Sequence, residues 1–164
     1  MILGIDPGLE NTGWGVIMPV KSPKSDRDFE LVDCGVIVAS RTLESPQRLK
    51  KIYDEIALLI RNYKPEVLVL EKLFFARNAK SALGVSEAIG VIKIVAANCH
   101  LVVQEFTPLQ VKMALVGYGQ AEKEQVEIMV RELLGLTEVI TPSHAADAVA
   151  IALTAARTVS YNEL

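Results

Sequence analysis

The sequence predicts an α/β protein in which a mixed sheet is flanked by helices. Two apolar runs near the start are joined through Pro7-Gly8, a turn-forming pair typical of adjacent antiparallel strands. Farther along, helical periodicity alternates with apolar strands, which indicates helical crossover connections. The 164 residues are 51% hydrophobic, enough for a sizeable core, and we expect residues 1–164 to form one domain.

Five apolar runs predict the strands of this sheet. The first three are separated by turn-forming or polar segments, so we expect three consecutive antiparallel strands. The last two are each reached through a helix, so we expect them to join by crossovers. These runs cover residues 2–6, 13–20, 31–39, 66–71 and 101–106.

Helix signals lie between and after the predicted strands. Ser45 as cap and Pro46 in the first turn predict the start of a helix whose apolar residues keep three- and four-residue spacing to residue 63. Thr107 and Gln110 have the spacing of a capping box, which predicts a short helix ended by a Gly-Tyr-Gly segment. Further helices are expected at residues 79–98, 121–134, with Gly135 as C-cap, and 144–158.

Composition limits the classes of function. The net charge of −3 gives no overall attraction to nucleic acid, so any DNA binding must come from a local basic surface. The two cysteines have neither a disulfide framework nor zinc spacing, which favours a reducing, cytoplasmic location. We expect neither a signal peptide nor a membrane span, because the apolar segments are too short or carry charges.

Four polar side chains stand out because each ends an apolar run or lies inside one. They are Asp6, Glu71, His144 and Asp147. Burying a lone carboxylate costs several kcal/mol unless an ion pair or a metal compensates it. Oxygen ligands with one imidazole suit Mg²⁺ or Mn²⁺, so the sequence predicts a divalent metal site.

The spacing of these residues allows them to meet. His144 and Asp147 are three residues apart on a predicted helix and therefore share one face. Asp6 and Glu71 end predicted strands, and functional residues of such sheets gather where strand ends and helix starts meet. Such a cluster could hold two divalent ions roughly 3.5 to 4 Å apart, the arrangement that catalyses in-line displacement at phosphorus.

Several segments in order along the chain carry a family resemblance. They include Gly4-Ile5-Asp6-Pro7-Gly8, Leu70-Glu71-Lys72-Leu73-Phe74, Val111-Lys112, Gly119-Gln120-Ala121-Glu122-Lys123 and Ala145-Ala146-Asp147-Ala148. This series resembles the successive motifs of the RuvC family of Holliday-junction resolvases. The resemblance implies a ribonuclease H-like fold and a homodimer that cuts two strands of like polarity in a four-way DNA junction during recombination and repair. It also implies hydrolysis with Mg²⁺ or Mn²⁺, and leaves open whether a RuvA-RuvB branch-migration motor cooperates.

The resemblance assigns roles to the acidic cluster. Asp6, Glu71 and Asp147 match the family's catalytic, metal-binding carboxylates, and His144 stands where a further carboxylate often occurs. An imidazole there removes one negative charge and favours Mn²⁺ relative to Mg²⁺. His144 would be a metal ligand or a proton donor, so we expect activity to fall as the pH drops through about 6.5.

The resemblance also implies DNA contacts. One of two adjacent aromatic residues would stack on a base at the junction centre, and nearby basic residues would contact the backbone. Two lysines match family positions near the scissile phosphate, where they would neutralise charge. These candidates are Phe74 and Phe75, then Arg77 and Lys80, and finally Lys112 and Lys123. The small residues of the predicted helix 79–98, Gly90 among them, suggest the surface of the dimer.

Each candidate also has an ordinary structural explanation. Asp6 could cap a turn, Glu71 could be an exposed strand end, and His144 could be satisfied by backbone at a helix start. Asp147 could be favoured by the helix dipole, and the lysines could be solvated. Among functions, the alternatives are a noncatalytic junction-binding module, a different ribonuclease H-fold nuclease, and an actin-like ATPase or sugar kinase. The last would need a second similar domain, for which 164 residues leave no room.

Overall fold

A five-stranded mixed sheet forms the frame of the protein. The computed structural model describes residues 1–20, 27–72 and 79–158, and for residues 79–81 it describes the backbone alone. The strands are β1 (Ile2–Asp6), β2 (Asn11–Pro19), β3 (Phe29–Val38), β4 (Val67–Glu71) and β5 (Val102–Phe106). The helices are α1 (Ser45–Tyr63), α2 (Ala79–Asn98), α3 (Pro108–Val116), α4 (Lys123–Leu134) and α5 (Ser143–Thr158).

The sheet order is β3-β2-β1-β4-β5. The first three strands pair antiparallel, whereas β4 pairs parallel with both β1 and β5. The predicted α/β class, with three antiparallel strands followed by two that are entered through helices, is therefore confirmed. Because β1 lies in the middle of the sheet, its carboxyl end is directly beside that of its parallel neighbour β4.

Helices cover both faces of the sheet. On one face, α1 and α2 pack over large aliphatic side chains such as Leu3, Ile5 and Leu68. On the other face, α3, α4 and the alanine-rich side of α5 share a core with Ile2 and Ile17. Successive strand residues point to opposite faces, so each strand contributes to both cores. Within the described ranges, no helix combines the length and the apolar character needed to cross a bilayer.

Several element ends differ from their predicted positions. Ser45 was the predicted cap of α1, but it is already helical, and Glu44 is the N-cap with its backbone N–H donating to Gln47 Oε1 at 3.3 Å. Likewise α4 begins at Lys123 rather than at residue 121, because the Glu122 backbone N–H donates to Gln125 Oε1 at 2.8 Å and makes Glu122 the cap. Strands β2 and β3 both begin two residues earlier than predicted, because Asn11 pairs with Val38 at one end of their antiparallel ladder and Phe29 pairs with Pro19 at the other.

The predicted start of α3 and the predicted C-terminal ends of α3 and α4 are confirmed. Thr107 and Gln110 form the capping box of α3, with the Gln110 backbone N–H donating to Thr107 Oγ1 at 3.3 Å. Gly117 ends α3 at φ 90°, and Gly135 ends α4 at φ 60°. Both glycines adopt the left-handed conformation that other residues rarely tolerate, so the helices stop where the sequence indicated.

Candidate active site and metal centre

Asp6 and Glu71 lie side by side at the carboxyl ends of two parallel strands. Ile5 of β1 is in register with Leu70 of β4, so the carboxylates follow at the next position of each strand. Gly4 and Val69 face the α5 side of the sheet, and side chains two positions on point the same way. Both acidic side chains are therefore directed toward α5.

A turn fixes the chain directly after Asp6. The hydroxyl of Thr12, which is fully buried, donates to the carbonyl of Gly8 at 2.6 Å. A Cβ on Gly8 would lie 2.2 Å from the Asn11 carbonyl oxygen, so this turn requires glycine for steric reasons. Thr12 thus closes the turn that follows Asp6 at the carboxyl end of β1.

Helix α5 approaches the strands closely because three glycines face it. A Cβ on Gly13 would lie 1.9 Å from the carbonyl oxygen of His144, and one on Gly4 would lie 2.1 Å from that of Ala148. A Cβ on Gly15, which pairs with Gly4 across β1 and β2, would meet Val149 Cγ2 at 2.3 Å. The glycines therefore let the helix backbone rest on the strand backbone, which brings the first turns of α5 to the end of β1.

This packing brings the predicted metal ligands together. Possible ligand atoms of Asp6, His144 and Asp147 all lie within 4.8 Å of one another. His144 Nδ1 is 2.7 Å from Asp6 Oδ2. Burial raises the pKa of Glu71, and Glu71 lies near enough to Asp6 and Asp147 for their charges to raise it further. Three carboxylates and an imidazole thus occupy one region, as the sequence predicted, and their oxygen-rich donor set suits a divalent cation.

The proximity of these carboxylates changes their protonation. Burial, followed by the charges of Asp6 and Asp147, raises the pKa of Glu71 to about 7. Burial also raises the pKa of Asp6, with a further increase from Asp147, while the hydrogen bond from His144 lowers it. The cluster therefore concentrates more negative charge than the protein alone compensates, which is the electrostatic condition for binding cations.

Lys123 is a cation that the site already contains. Its Nζ lies 2.6 Å from Asp147 Oδ2 and 3.3 Å from Ser143 Oγ. Burial lowers the pKa of Lys123, but the hydrogen bond and charge of Asp147, with Glu127 and Asp6, outweigh this effect and raise it. Asp147 is thus compensated partly by a lysine from α4, a partner that the sequence did not reveal.

A cavity of about 170 Å³ opens beside the acidic cluster. Glu71 and Asp147 line it together with Lys112 of α3 and Lys123 of α4. Its polar wall thus presents two carboxylates and two ammonium groups to the same space. A phosphate that entered it would meet both the ammonium groups of these lysines and the carboxylates of the candidate metal site.

The remaining candidates for DNA contact are not placed with the site. Phe74, Phe75 and Arg77 lie outside the described residues. Lys80 belongs to the first turn of α2, and its side chain lies outside the description as well. Their assignment as DNA-binding residues stays a prediction.

Sequence reasoning overlooked Ser143 and Thr12. Ser143 precedes His144 and lies one helical turn before Asp147, a spacing that places it on the side of α5 facing the site. Thr12 follows the Gly4-to-Gly8 motif and carries no charge, so only its complete burial indicates its role. The i, i+4 relation to Asp147 was the available signal for Ser143.

Comparison with known proteins agrees with this geometry. The family described as crossover junction endodeoxyribonuclease RuvC matches residues 2–155. The chain belongs to the RuvC family. The RuvC of Alkaliphilus oremlandii is 44% identical over all of this chain and 97% of its own length, and that of Caldicellulosiruptor saccharolyticus is 42% identical over 93% and 89%.

A solved RuvC structure has the same fold. Thermus thermophilus RuvC, in complex with a Holliday junction substrate, superposes with a TM-score of 0.88 at 37% identity. The match covers 96% of this chain and 93% of the Thermus chain. The sheet and helices described above are therefore the RuvC arrangement, a ribonuclease H-like fold, nearly from end to end.

Proposed function

We propose that this protein is a structure-selective endonuclease that resolves Holliday junctions in recombination and DNA repair. It would cut two strands of like polarity symmetrically by metal-dependent hydrolysis of phosphodiester bonds. The observation that carries this proposal is the meeting of Asp6, Glu71, His144 and Asp147 beside a lysine-lined cavity. The protein's membership of the RuvC family and its similarity to the junction-bound Thermus relative support a four-way DNA junction as the substrate.

The four clustered side chains form the proposed metal centre. Mg²⁺ is the expected ion, Mn²⁺ is expected to support activity too, and the number of donors fits two ions per site. Bound divalent ions would activate a water and stabilise the charge that develops at phosphorus. His144 would serve either as a ligand or as a proton donor, and its Nδ1 contact with Asp6 is compatible with both roles.

The protein's own groups would then orient and neutralise the DNA. Lys112 and Lys123 line the cavity and would hold the scissile phosphate against the acidic cluster. Burial and the charges of Asp6 and Asp147 raise the pKa of Glu71 to about 7, and its proton must leave before Glu71 can serve as an anionic ligand. Phe74 or Phe75 would stack at the junction centre, and Arg77 and Lys80 would contact the backbone.

The active form is proposed to be a homodimer of one-domain chains, because paired cuts need two active sites. On α2, Leu83 is 68% exposed and Ile94 is 57% exposed, and exposed Gly90 lies between them with open space around it. We call these three residues the α2 stripe. Two other small residues of the helix serve the chain's own packing, because Ala88 is buried and Gly84 lies against Leu9. The α2 stripe is therefore the proposed dimer surface.

The proposal also includes a cytoplasmic location for the protein and cooperation with a branch-migration motor. Cys34 and Cys99 are free thiols, which supports a cytoplasmic location. Cooperation with a branch-migration complex of the RuvA-RuvB kind is proposed from the family alone.

A cleavage assay tests the proposal directly. The protein is incubated with a four-way junction and Mg²⁺ or Mn²⁺, and we expect paired nicks in strands of like polarity. Asp6→Asn should still bind the junction but cut it slower by roughly a thousandfold, since it removes a ligand oxygen. Asp54→Asn, an exposed change on α1, is the matched control and should cut normally.

The alternatives give different outcomes in the same assay. Equal cutting of a linear duplex or an RNA–DNA hybrid would indicate a different ribonuclease H-fold nuclease. Binding without any cutting by the unmodified protein would indicate a noncatalytic junction-binding module. Normal cutting by Asp6→Asn would remove that carboxylate from the mechanism.

A further inference from the structure

Helix α5 offers two acceptors to one ammonium group. Ser143 and Asp147 are four residues apart and therefore lie one turn apart on the same side of the helix. Lys123 Nζ lies between them, 3.3 Å from Ser143 Oγ and 2.6 Å from Asp147 Oδ2. The lysine is thus held at two points by a helix other than its own.

The two acceptors have different duties in the proposed reaction, on which this inference rests. Asp147 belongs to the cluster whose ligand atoms converge, so a bound divalent cation would draw on its carboxylate. That cation would also repel the lysine ammonium, because both are positive. The Ser143 hydroxyl is neutral, so its hydrogen bond to Lys123 can persist when the contact with Asp147 weakens.

The side chain of Ser143 has no competing duty among the described contacts. The start of α5 is closed by the carbonyl of Pro142, which accepts from the backbone N–H groups of Ala145 and Ala146. Ser143 is exposed, and its Oγ accepts a hydrogen bond from Lys123 Nζ. Lys123 also lines the cavity with Lys112, where a phosphate would enter.

We propose that Ser143 is a positioning residue that keeps Lys123 directed into the active-site cavity while Asp147 serves the metal. Without this hydroxyl, the flexible lysine side chain would spend more of its time in solvent and less against the scissile phosphate. The metal ligands themselves would be unchanged. Ser143 therefore acts on the cleavage step through Lys123 rather than on metal or junction binding.

A double-mutant cycle measures this coupling. Single-turnover cleavage of a four-way junction at saturating Mg²⁺ is compared for the unmodified protein, Ser143→Ala, Lys123→Ala and the double variant. We expect Ser143→Ala to slow cleavage about 3- to 10-fold, the range for losing one hydrogen bond, and to leave junction affinity in EDTA unchanged. In the Lys123→Ala background, Ser143→Ala should have no further effect.

Conservative and matched variants separate positioning from a structural role. Ser143→Thr keeps a hydroxyl and should restore the rate, whereas a defect in the helix start would not be rescued in this way. Ser45→Ala changes an exposed serine that is the first residue of α1, and it should cut at the normal rate. An equal loss from Ser143→Ala with and without Lys123, a normal rate for Ser143→Ala, or no rescue by threonine would each overturn the proposal.

A spectroscopic measurement does not depend on cleavage. The side-chain ammonium resonance of Lys123, assigned by its absence in Lys123→Arg, is followed by NMR in the Mg²⁺-loaded protein without DNA. We expect a resolved signal that Ser143→Ala moves to the position of exposed lysines, and an unaffected signal would contradict the proposal. If the unmodified protein fails to cut junctions, the proposed function fails, while this signal still decides whether Ser143 holds Lys123.

Discussion

The two faces of the sheet support their helices in opposite ways. On the α5 face, Gly4, Gly13 and Gly15 leave no side chains, and helix backbone lies directly against strand backbone. On the α1 and α2 face, buried aliphatic residues such as Leu3 and Ile56 separate the helices from the strands. Aliphatic side chains can adjust when a neighbour changes, whereas backbone in direct contact must move as a unit. The candidate site therefore lies on the face with the least freedom to adjust.

The largest expected effect comes from adding one methyl group on the tightly packed face. In Gly13→Ala the new Cβ would lie 1.9 Å from the His144 carbonyl oxygen, so the start of α5 must shift. A displacement of that kind misaligns His144 and Asp147, and we expect junction cleavage to fall by about 100-fold. Single-turnover cleavage with a folded variant, checked by circular dichroism, measures it.

Gly90→Ala is the matched control on the opposite face. Nothing within one chain lies within 4 Å of a Cβ at Gly90. One methyl group is also far smaller than the tryptophan needed to disturb the α2 stripe, so the variant should cut normally. It should also be slightly more stable, since alanine favours a helix interior over glycine by about 0.5–1 kcal/mol. Similar cleavage rates for Gly13→Ala and Gly90→Ala would refute the contrast between the faces.

The next effect concerns assembly through the outer side of α2. If the α2 stripe forms the dimer surface, Gly90→Trp should weaken the dimer about tenfold or more, because overpacking an interface costs roughly 1–3 kcal/mol. Sedimentation equilibrium measures the dissociation constant. Ile128→Trp changes an exposed residue of α4 on the opposite face of the sheet and should leave the dimer intact. An unchanged dimer in Gly90→Trp would discard the α2 stripe.

The same contrast explains what the sequence could predict. Asp6 and Glu71 could be predicted to meet, because strand ends and two-residue alternation are visible in a one-dimensional pattern. The steric need for Gly4 could not, since it depends on the register that pairs it with Gly15 and on a helix more than a hundred residues away. Contacts set by local periodicity are thus predictable, and contacts set by packing between distant elements are not.

The same reasoning applies to the charges of the site. His144 and Asp147 are on one helix face by spacing alone, and the sequence indicated this. The ion pair between Lys123 and Asp147 joins α4 to α5, so it depends on how the two helices pack. Sequence reasoning therefore named both residues but did not predict their contact.

A smaller effect is expected for metal preference on the α5 face. His144→Asp replaces an imidazole by a carboxylate beside Asp6 and should lower the affinity for Mn²⁺ relative to Mg²⁺ several-fold. Isothermal titration calorimetry without DNA measures both affinities. His100→Asp alters an exposed histidine after α2 and should leave their ratio unchanged. The same ratio in both variants would argue against a ligand role for His144.

The smallest effect is a change in stability with pH that originates in the crowded carboxylates. The pKa of Glu71 is raised to about 7 from an ordinary value of 4.5, chiefly by burial and then by Asp6 and Asp147. A raised acid pKa favours the folded state fully below pH 4.5, and this contribution is lost as the pH rises through about 7. The Tm of the metal-free protein in EDTA should therefore fall between pH 5 and pH 8, because Glu71 loses its proton within this range. The fall should be larger than in Glu71→Gln, which has no proton to lose there.

Thermal melts of both proteins in EDTA measure the difference in slope. Glu138→Gln, an exposed change after α4, should keep the slope of the unmodified protein. Saturating Mg²⁺ should reduce the slope, because a divalent cation favours the deprotonated carboxylates and reverses the cost of crowding them. Parallel slopes for the unmodified protein and Glu71→Gln in EDTA would mean that Glu71 ionises as freely as an exposed carboxylate. In that case the α5 face would not crowd the carboxylates, and a metal ion would have no excess negative charge to neutralise there.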